Sequence, residues 1–456
     1  MAFPTSRTWH RLRGDWMHRP THRRVWALAA PMIVSNITVP LVSLTDSAVA
    51  GHLASASQLA AVAIGSTIYQ VPVLICAFLR MGTVGFTAQE FGRGDGSAIR
   101  RVLLQSLLVA VFLAFILLVL AYPLLPAALD LMHAGSELRP LASGYLQWRL
   151  LGLPAAAASY ALTGWYLGAQ DARITVRILI AANLLNIVLN ISFVFGLGWG
   201  VQGIAAASVL AEWIGVGLGF AHLRHPLRRL AGTLDLTSLA SFRHWRPLLA
   251  VHRDILARSL LLQGVFLALT VLGTRLGTDV VAANALLLNG LMLVAFALDG
   301  LANAVESLAG HAIGAHRPDG LRRVLVVAAG WSLLGALAFA VLFVLAGHAF
   351  IDIQTRMQSV RHVAYAFLPY LALLPLAAFP AYLLDGLFVA ATRGRDMRNA
   401  MLVSAVVFAL LAFMLHGLGN HGLWIAFLGF MLTRAAIMSA MARRGMVGRA
   451  IASTLS

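Results

Sequence analysis

Twelve stretches of twenty or more mostly apolar residues, separated by short polar segments, constrain this chain more than any other feature. They fall near 25–52, 59–89, 101–129, 138–168, 172–196, 201–223, 248–276, 280–312, 321–350, 358–392, 398–417 and 421–442. About 20 helical residues cross the hydrocarbon core of a bilayer, where every backbone polar group must find its partner inside the protein. A composition that is 60% hydrophobic and 11% charged, with a mean hydropathy of +0.83, agrees. Runs this long also exclude a β-barrel, whose strands alternate over short segments. The expected fold is all-α and integral to the membrane, with twelve transmembrane helices. Pro154 in the fourth stretch and Pro369, Pro375 and Pro380 in the tenth predict bends, because a proline removes a helical hydrogen bond. Cys76 is the single cysteine and reads as a packing residue.

The net charge of +17 comes from 34 arginines and no lysine. Nucleic-acid binding is excluded, because these arginines are scattered between apolar runs rather than gathered on one domain. With the N-terminus placed inside, inner segments hold 27 arginines and outer loops four: Arg139, Arg275, Arg356 and Arg361. That asymmetry places both termini in the cytoplasm. The expected organisation is a basic tail over 1–24, an N-lobe over 25–223, a cytoplasmic linker over 224–247, a C-lobe over 248–442 and a tail over 443–456. The first tail, with Arg7 and Arg11, reads either as a surface-lying basic segment or as a solvated one.

A fixed offset of 222 residues relates the halves. Gly92 matches Gly314, the RRVL at 100–103 returns at 322–325, Gly164 matches Gly386 and Gly200 matches Gly422. Such a register implies duplication, and an even number of spans in each half makes the two six-helix lobes parallel repeats.

Carboxylates inside the apolar runs are the candidate functional groups. Asp46 lies deep in the first run, where an aspartate costs at least about 2.5–3.5 kcal/mol, so it faces protein or a water-filled cavity. It reads either as a protonatable site or as a structural acid bonded to a neighbouring helix. Its counterpart 222 residues on is Ala268, so the repeat has diverged there. Asn183, Asn186 and Asn190 form one stripe of the fifth run and, with Ser208 in the sixth, can make a polar wall facing Asp46. Buried amides also simply join helices. In the second half Asp299 and Glu306 are seven residues apart on one face, and Asp385 lies beside the prolines of the tenth run. These three acids can bind an organic cation, carry protons or hold a polar network. Arg80, Arg149 and Arg434 are the intramembrane counter-ions, with Arg434 near enough to a helix end to snorkel. No phosphate loop, HExxH or Cys/His cluster is found, so the chain is read as neither an ATP-driven pump nor a metalloenzyme, and no cofactor or metal is expected.

With these residues in view, the chain resembles the multidrug and toxic compound extrusion (MATE) family, most closely its DinF branch. The resemblance spans about residues 25–440. It rests on LTDSAVAGHL, GFTAQEFGRGD and NLLNIVLNISFVFGLGWGVQGIAAAS in the first half, and on LDGLANAVESLAGHAIGA and AFPAYLLDGLFVAATRGRDMRNAM in the second. It implies a monomeric antiporter, not an enzyme, in a bacterial inner membrane. Such a protein exports amphipathic, often cationic drug-like compounds in exchange for protons or sodium. Carried over, Asp46 is the coupling acid, with Tyr145, Asn186, Asn190 and Ser208 around the N-lobe cavity; apart from the resemblance, Asp299, Glu306 and Asp385 are expected to form a C-lobe polar network that supports the cavity. Asn190 departs from a pattern in which many relatives have an aspartate. Sodium prefers several hard oxygens and charge compensation, so the departure favours protons. Sodium coupling and a flippase for lipid-linked oligosaccharides are the competing readings. A pyrophosphate carrier is expected to show central basic residues, whereas these span interiors read as acidic on balance.

Overall fold

The structure, a computed structural model, describes residues 12–445 other than 54, 235–238 and 240, and the side chains among them other than those of 37–44 and 229. Arg7, Arg11, part of the 224–247 linker and residues 446–456 of the C-terminal tail, with Arg449, lie outside the described residues. The described residues are mostly helical, with no strand among them. In chain order the helices are α1 (Arg19–Gly51), α2 (Ala56–Cys76), α3 (Phe78–Arg93), α4 (Gly96–Leu131), α5 (Leu138–Leu150), α6 (Leu153–Gly168), α7 (Ala172–Ile191) and α8 (Gly200–His222). A short α9 (Arg224–Arg229) leads to α10 (Phe242–Thr274), α11 (Thr278–Gly314), α12 (Pro318–Gln354), α13 (Gln358–Ala390), α14 (Gly394–Met414) and α15 (Asn420–Arg444).

Ten helical stretches are long and apolar enough to cross a membrane, and each overlaps an expected span. Two more complete the twelve. One is α1, and the other is the α5–α6 pair, whose break has a local cause. Pro154 has no N–H for the Leu150 carbonyl, so the helix closes with tight bonds from Leu151 to Trp148 and from Gly152 to Arg149 before restarting at Leu153. The fourth span is therefore broken rather than merely bent. Apolar side chains such as Phe112, Phe115 and Val119 on α4, and Val341, Val344 and Leu345 on α12, stand exposed, as helices surrounded by hydrocarbon allow.

The described residues form two compact units, one running Val34–Leu249 and the other joining the residues up to Ile33 with those from Ala250 onward. The first unit is centred on Trp165 and Tyr166, whose polar tips donate to the carbonyls of Ile99 at 3.1 Å and Gly219 at 2.7 Å. The second is centred on Leu371, Trp424, Phe427 and Phe430. Residues 12–33 belong to the second unit for identifiable reasons. Buried Asp15 accepts from Arg322 Nε at 2.6 Å, Trp331 Nε1 donates to His22 at 2.9 Å, and Trp26 meets Trp331 edge to face at 5.1 Å. Gly300 leaves room for Ile33, since a Cβ there would lie 2.2 Å from its Cγ1.

The 222-residue register reappears in the backbone. Gly94 and His316 both adopt a left-handed conformation, with φ of 75° and 54°, and so do Gln170 and Thr392, at 61° and 54°. Each ends a helix and turns the chain into the next one. Packing repeats as well: a Cβ on Gly164 would lie 2.5 Å from the Arg80 carbonyl oxygen, and one on Gly386 would lie 2.6 Å from that of Ala302. In each unit a glycine lets two helix backbones touch at the same place.

Candidate functional site

Within the Val34–Leu249 unit, a cavity of about 250 Å³ is lined by Asp46, Tyr69, Tyr145, Arg149, Asn183, Asn186, Ser208 and Glu212, among others. Its polar wall is a chain of hydrogen bonds built from helical spacing. The Asn190 amide on α7 donates to Asp46 Oδ1 at 2.5 Å and, one turn back, to Asn186 Oδ1 at 3.1 Å. Asn186 then donates to the Ser208 hydroxyl on α8 at 2.8 Å, and Ser208 donates to the Ile204 carbonyl at 3.1 Å. The i, i+4 stripe read from the sequence is what brings two amides into line. Asn190 is wholly buried, and its own amide oxygen has no protein partner among the described residues. A π-helical turn, Ser192–Gly196, follows the stripe at the end of α7, the kind of irregularity often found near functional groups.

Tyr145 enters the cavity from α5 and is almost fully buried. Its position depends on Gly65, where a Cβ would lie 2.4 Å from the tyrosine ring. One turn along α5, Arg149 meets a residue that sequence reasoning missed. Its guanidinium lies 3.0 Å from Glu212 on α8 and stacks over the Tyr69 ring at 4.0 Å. The break in the fourth span makes room for this pair, because a Cβ on Gly152 would lie 2.2 Å from Glu212 Oε2. Glu212 stands in AAASVLAEWIG, and the signal that would have found it is the one that found Asp46, a carboxylate inside an apolar run. The cavity thus holds two carboxylates against one guanidinium, a formal charge of −1 when both acids are ionised.

The second unit places its acids differently. Asp385 on α13 receives both Arg258 from α10 and Arg434 from α15 on one oxygen, Oδ2, and all three side chains are buried. Arg434 is 2% exposed, so it does not snorkel; instead it is held inside by Asp385 and faces the Tyr382 ring at 5.9 Å. Arg258, one of the 27 arginines counted as inner, is a core residue. The interior of this unit is therefore not acidic around Asp385. Asp299 lies close enough to act electrostatically on Arg434 and Tyr382. Glu306 is buried on α11, seven residues along the helix from Asp299. A third buried acid, Asp254, is bridged by Arg398 at 2.8 Å and Arg253 at 3.0 Å.

Comparison with known proteins agrees with this architecture. The MatE family model matches twice, over residues 31–192 and 255–414, and the two matches end 222 residues apart. The chain is 41% identical over 422 residues to the DNA damage-inducible protein F of Escherichia coli (strain K12), covering 92% of each chain. It is 28% identical to the multidrug resistance protein PmpM of Pseudomonas aeruginosa over 70% of this chain and 67% of that one. Among solved structures, MATE in the bent conformation superposes with a TM-score of 0.85 at 20% identity, covering 99% of this chain and all of the other. An outward-facing multidrug resistance MATE transporter of the MOP superfamily gives 0.84 at 20% identity, covering 98% of this chain and 99% of that one. Two family-model matches in register and a 41% identical relative over most of its length establish that this multi-pass membrane protein belongs to the MATE family, in its DinF-like branch, a family of transporters and not of enzymes.

Proposed function

We propose that the protein is a secondary-active exporter that moves amphipathic, cationic drug-like compounds out of a bacterial cell across the inner membrane, as a monomer with both termini cytoplasmic, in exchange for protons. The names of its relatives support the transport class, and the arginine asymmetry supports the orientation. The observation that carries the ion reading is the excess carboxylate of the first-unit cavity. Glu212 is neutralised by Arg149, which leaves Asp46 to hold one positive charge, either a proton or a cationic substrate. Competition of the two for one carboxylate is what exchange requires.

Asn190 favours the proton over sodium. An amide can donate its NH2 to ionised Asp46 and, turned over, accept from the protonated acid, so one side chain serves both protonation states. Sodium needs several oxygens at once, and Asp46 is here approached by an amide nitrogen. Tyr145, Asn186 and Ser208 hold this geometry. Asp299, Glu306 and Asp385 are assigned a supporting role, since Asp385 is already matched by two arginines. A pyrophosphate-linked lipid suits the first cavity poorly, because its charge has the same sign as that of Asp46.

The test is efflux from proteoliposomes under proton and sodium gradients imposed separately. A pH gradient should drive transport, and a sodium gradient alone should not; strong sodium stimulation would overturn the proton reading.

A further inference from the structure

The turn joining α11 to α12 is the repeat counterpart of the turn joining α3 to α4, yet the two are covered differently. In the first unit the chain covers its own turn. Arg100 donates to the carbonyls of Gly96, at 2.9 Å, and of Leu227. The Ser97 hydroxyl accepts from Thr233 N–H at 3.1 Å, and a Cβ on Gly96 would lie 2.1 Å from the Ala231 oxygen. In the second unit the corresponding turn opens onto a cavity of about 470 Å³, walled by His18, just before α1, by Arg24 on α1 and by His311, His316, Arg317 and Arg323. The repeat counterparts of His311, His316 and Arg317 are Gln89, Gly94 and Asp95, so these three basic side chains belong to this unit alone, whereas Arg322 and Arg323 repeat Arg100 and Arg101. His316 also occupies a left-handed position, φ 54°, that its counterpart fills with glycine.

The charges in this cavity do not cancel. Asp319 is its only lining carboxylate, and it sits 3.4 Å from Arg322. Arg323 reaches the buried Asp15 at 3.4 Å. Arg24 and Arg317 make no ion pair among the described residues, although both lie near enough to His311 to act on it electrostatically. These two guanidiniums and three histidine rings line one volume, a set of donors that suits the oxygens of a phosphate group. Basic pockets at the ends of membrane helices suit anionic headgroups in the same way.

We propose that this cavity is a phosphate-binding site, occupied by the phosphodiester of an anionic phospholipid headgroup or by free phosphate. The assignment is independent of the transport reading, since none of its residues lines the Asp46 cavity. It is tested by titrating the full-length protein in neutral detergent with fluorescently labelled phosphatidylglycerol, then competing with unlabelled phosphatidylglycerol, phosphatidylcholine or inorganic phosphate. Arg24→Gln combined with Arg317→Gln should weaken binding by at least about tenfold, since a single charge-assisted contact is worth that much and two are removed. Asp319→Asn should tighten it, and this second variant keeps the test decisive if the first folds poorly. Displacement by inorganic phosphate as well as by phosphatidylglycerol assigns the site to phosphate itself, and displacement by the anionic lipid alone assigns it to the headgroup. Equal binding by the wild type and both variants, or equal displacement by phosphatidylcholine, overturns the proposal.

Discussion

In the Val34–Leu249 unit two carboxylates, Asp46 and Glu212, share the single guanidinium of Arg149; in the other unit two guanidiniums, those of Arg258 and Arg434, share the single carboxylate of Asp385. Both arrangements grew on one repeated scaffold, with the Gly164 and Gly386 contacts in register. The difference lies in what is left over. Around Asp385 the acid has more positive charge than it needs and no reason to take up a cation. Around Asp46 the acid accepts from the Asn190 amide and makes no ion pair among the described residues, so one scaffold supports an acid held by two arginines in one half and, in the reading proposed above, a cation-accepting cavity in the other.

The largest effect on stability is expected at the matched cluster. Asp385→Ala removes the buried carboxylate that Arg258 and Arg434 share and should cost about 3–5 kcal/mol, seen as a large fall in thermal midpoint or a failure to accumulate folded protein. A variant that melts like the wild type would show that Asp385 is not the centre of that cluster.

The next effect concerns what the halves share. Gly164→Ala and Gly386→Ala each push a methyl group to within 3 Å of a backbone oxygen, and each should destabilise by about 1–3 kcal/mol. Thermal melts of the two variants should shift by similar amounts. If only one shifts, the helix contact has diverged along with the charges.

A smaller loss of stability, about 1–2 kcal/mol, is expected for Glu212→Gln, since an amide still accepts from Arg149. Its functional effect should be larger. With Glu212 neutral, Arg149 is free to compensate Asp46, the excess charge disappears, and gradient-driven efflux should fall severalfold while the protein remains folded. Efflux at the wild-type rate would place the excess charge elsewhere.

Much of this was legible in the sequence, and the failures are instructive. The duplication, the helical runs and the Asn186–Asn190 stripe follow from local periodicity, which a chain must obey wherever it packs. Asp46 is visible because a charge inside an apolar run is costly. Glu212 carries the same signal and was passed over, and its pairing with Arg149 depends on a break in the fourth span that Pro154 announces only as a bend. Arg434 is legible as an intramembrane counter-ion but not as a buried one, and Arg258 counts with the inner arginines, because arginines near helix ends ordinarily reach for water and only the tertiary position of Asp385 draws them inward. The packing of Asp15 onto Arg322 is a contact across some 300 residues with no local trace in the sequence.

The central claim, that Asp46 carries the driving ion, is tested most directly by Asp46→Asn in proteoliposomes loaded with a cationic substrate. The amide keeps the shape and hydrogen bonding of the acid but cannot titrate. Substrate exchange without a gradient should survive in part, while accumulation driven by a pH gradient should vanish. Proton-driven accumulation by the variant at the wild-type rate would contradict the account.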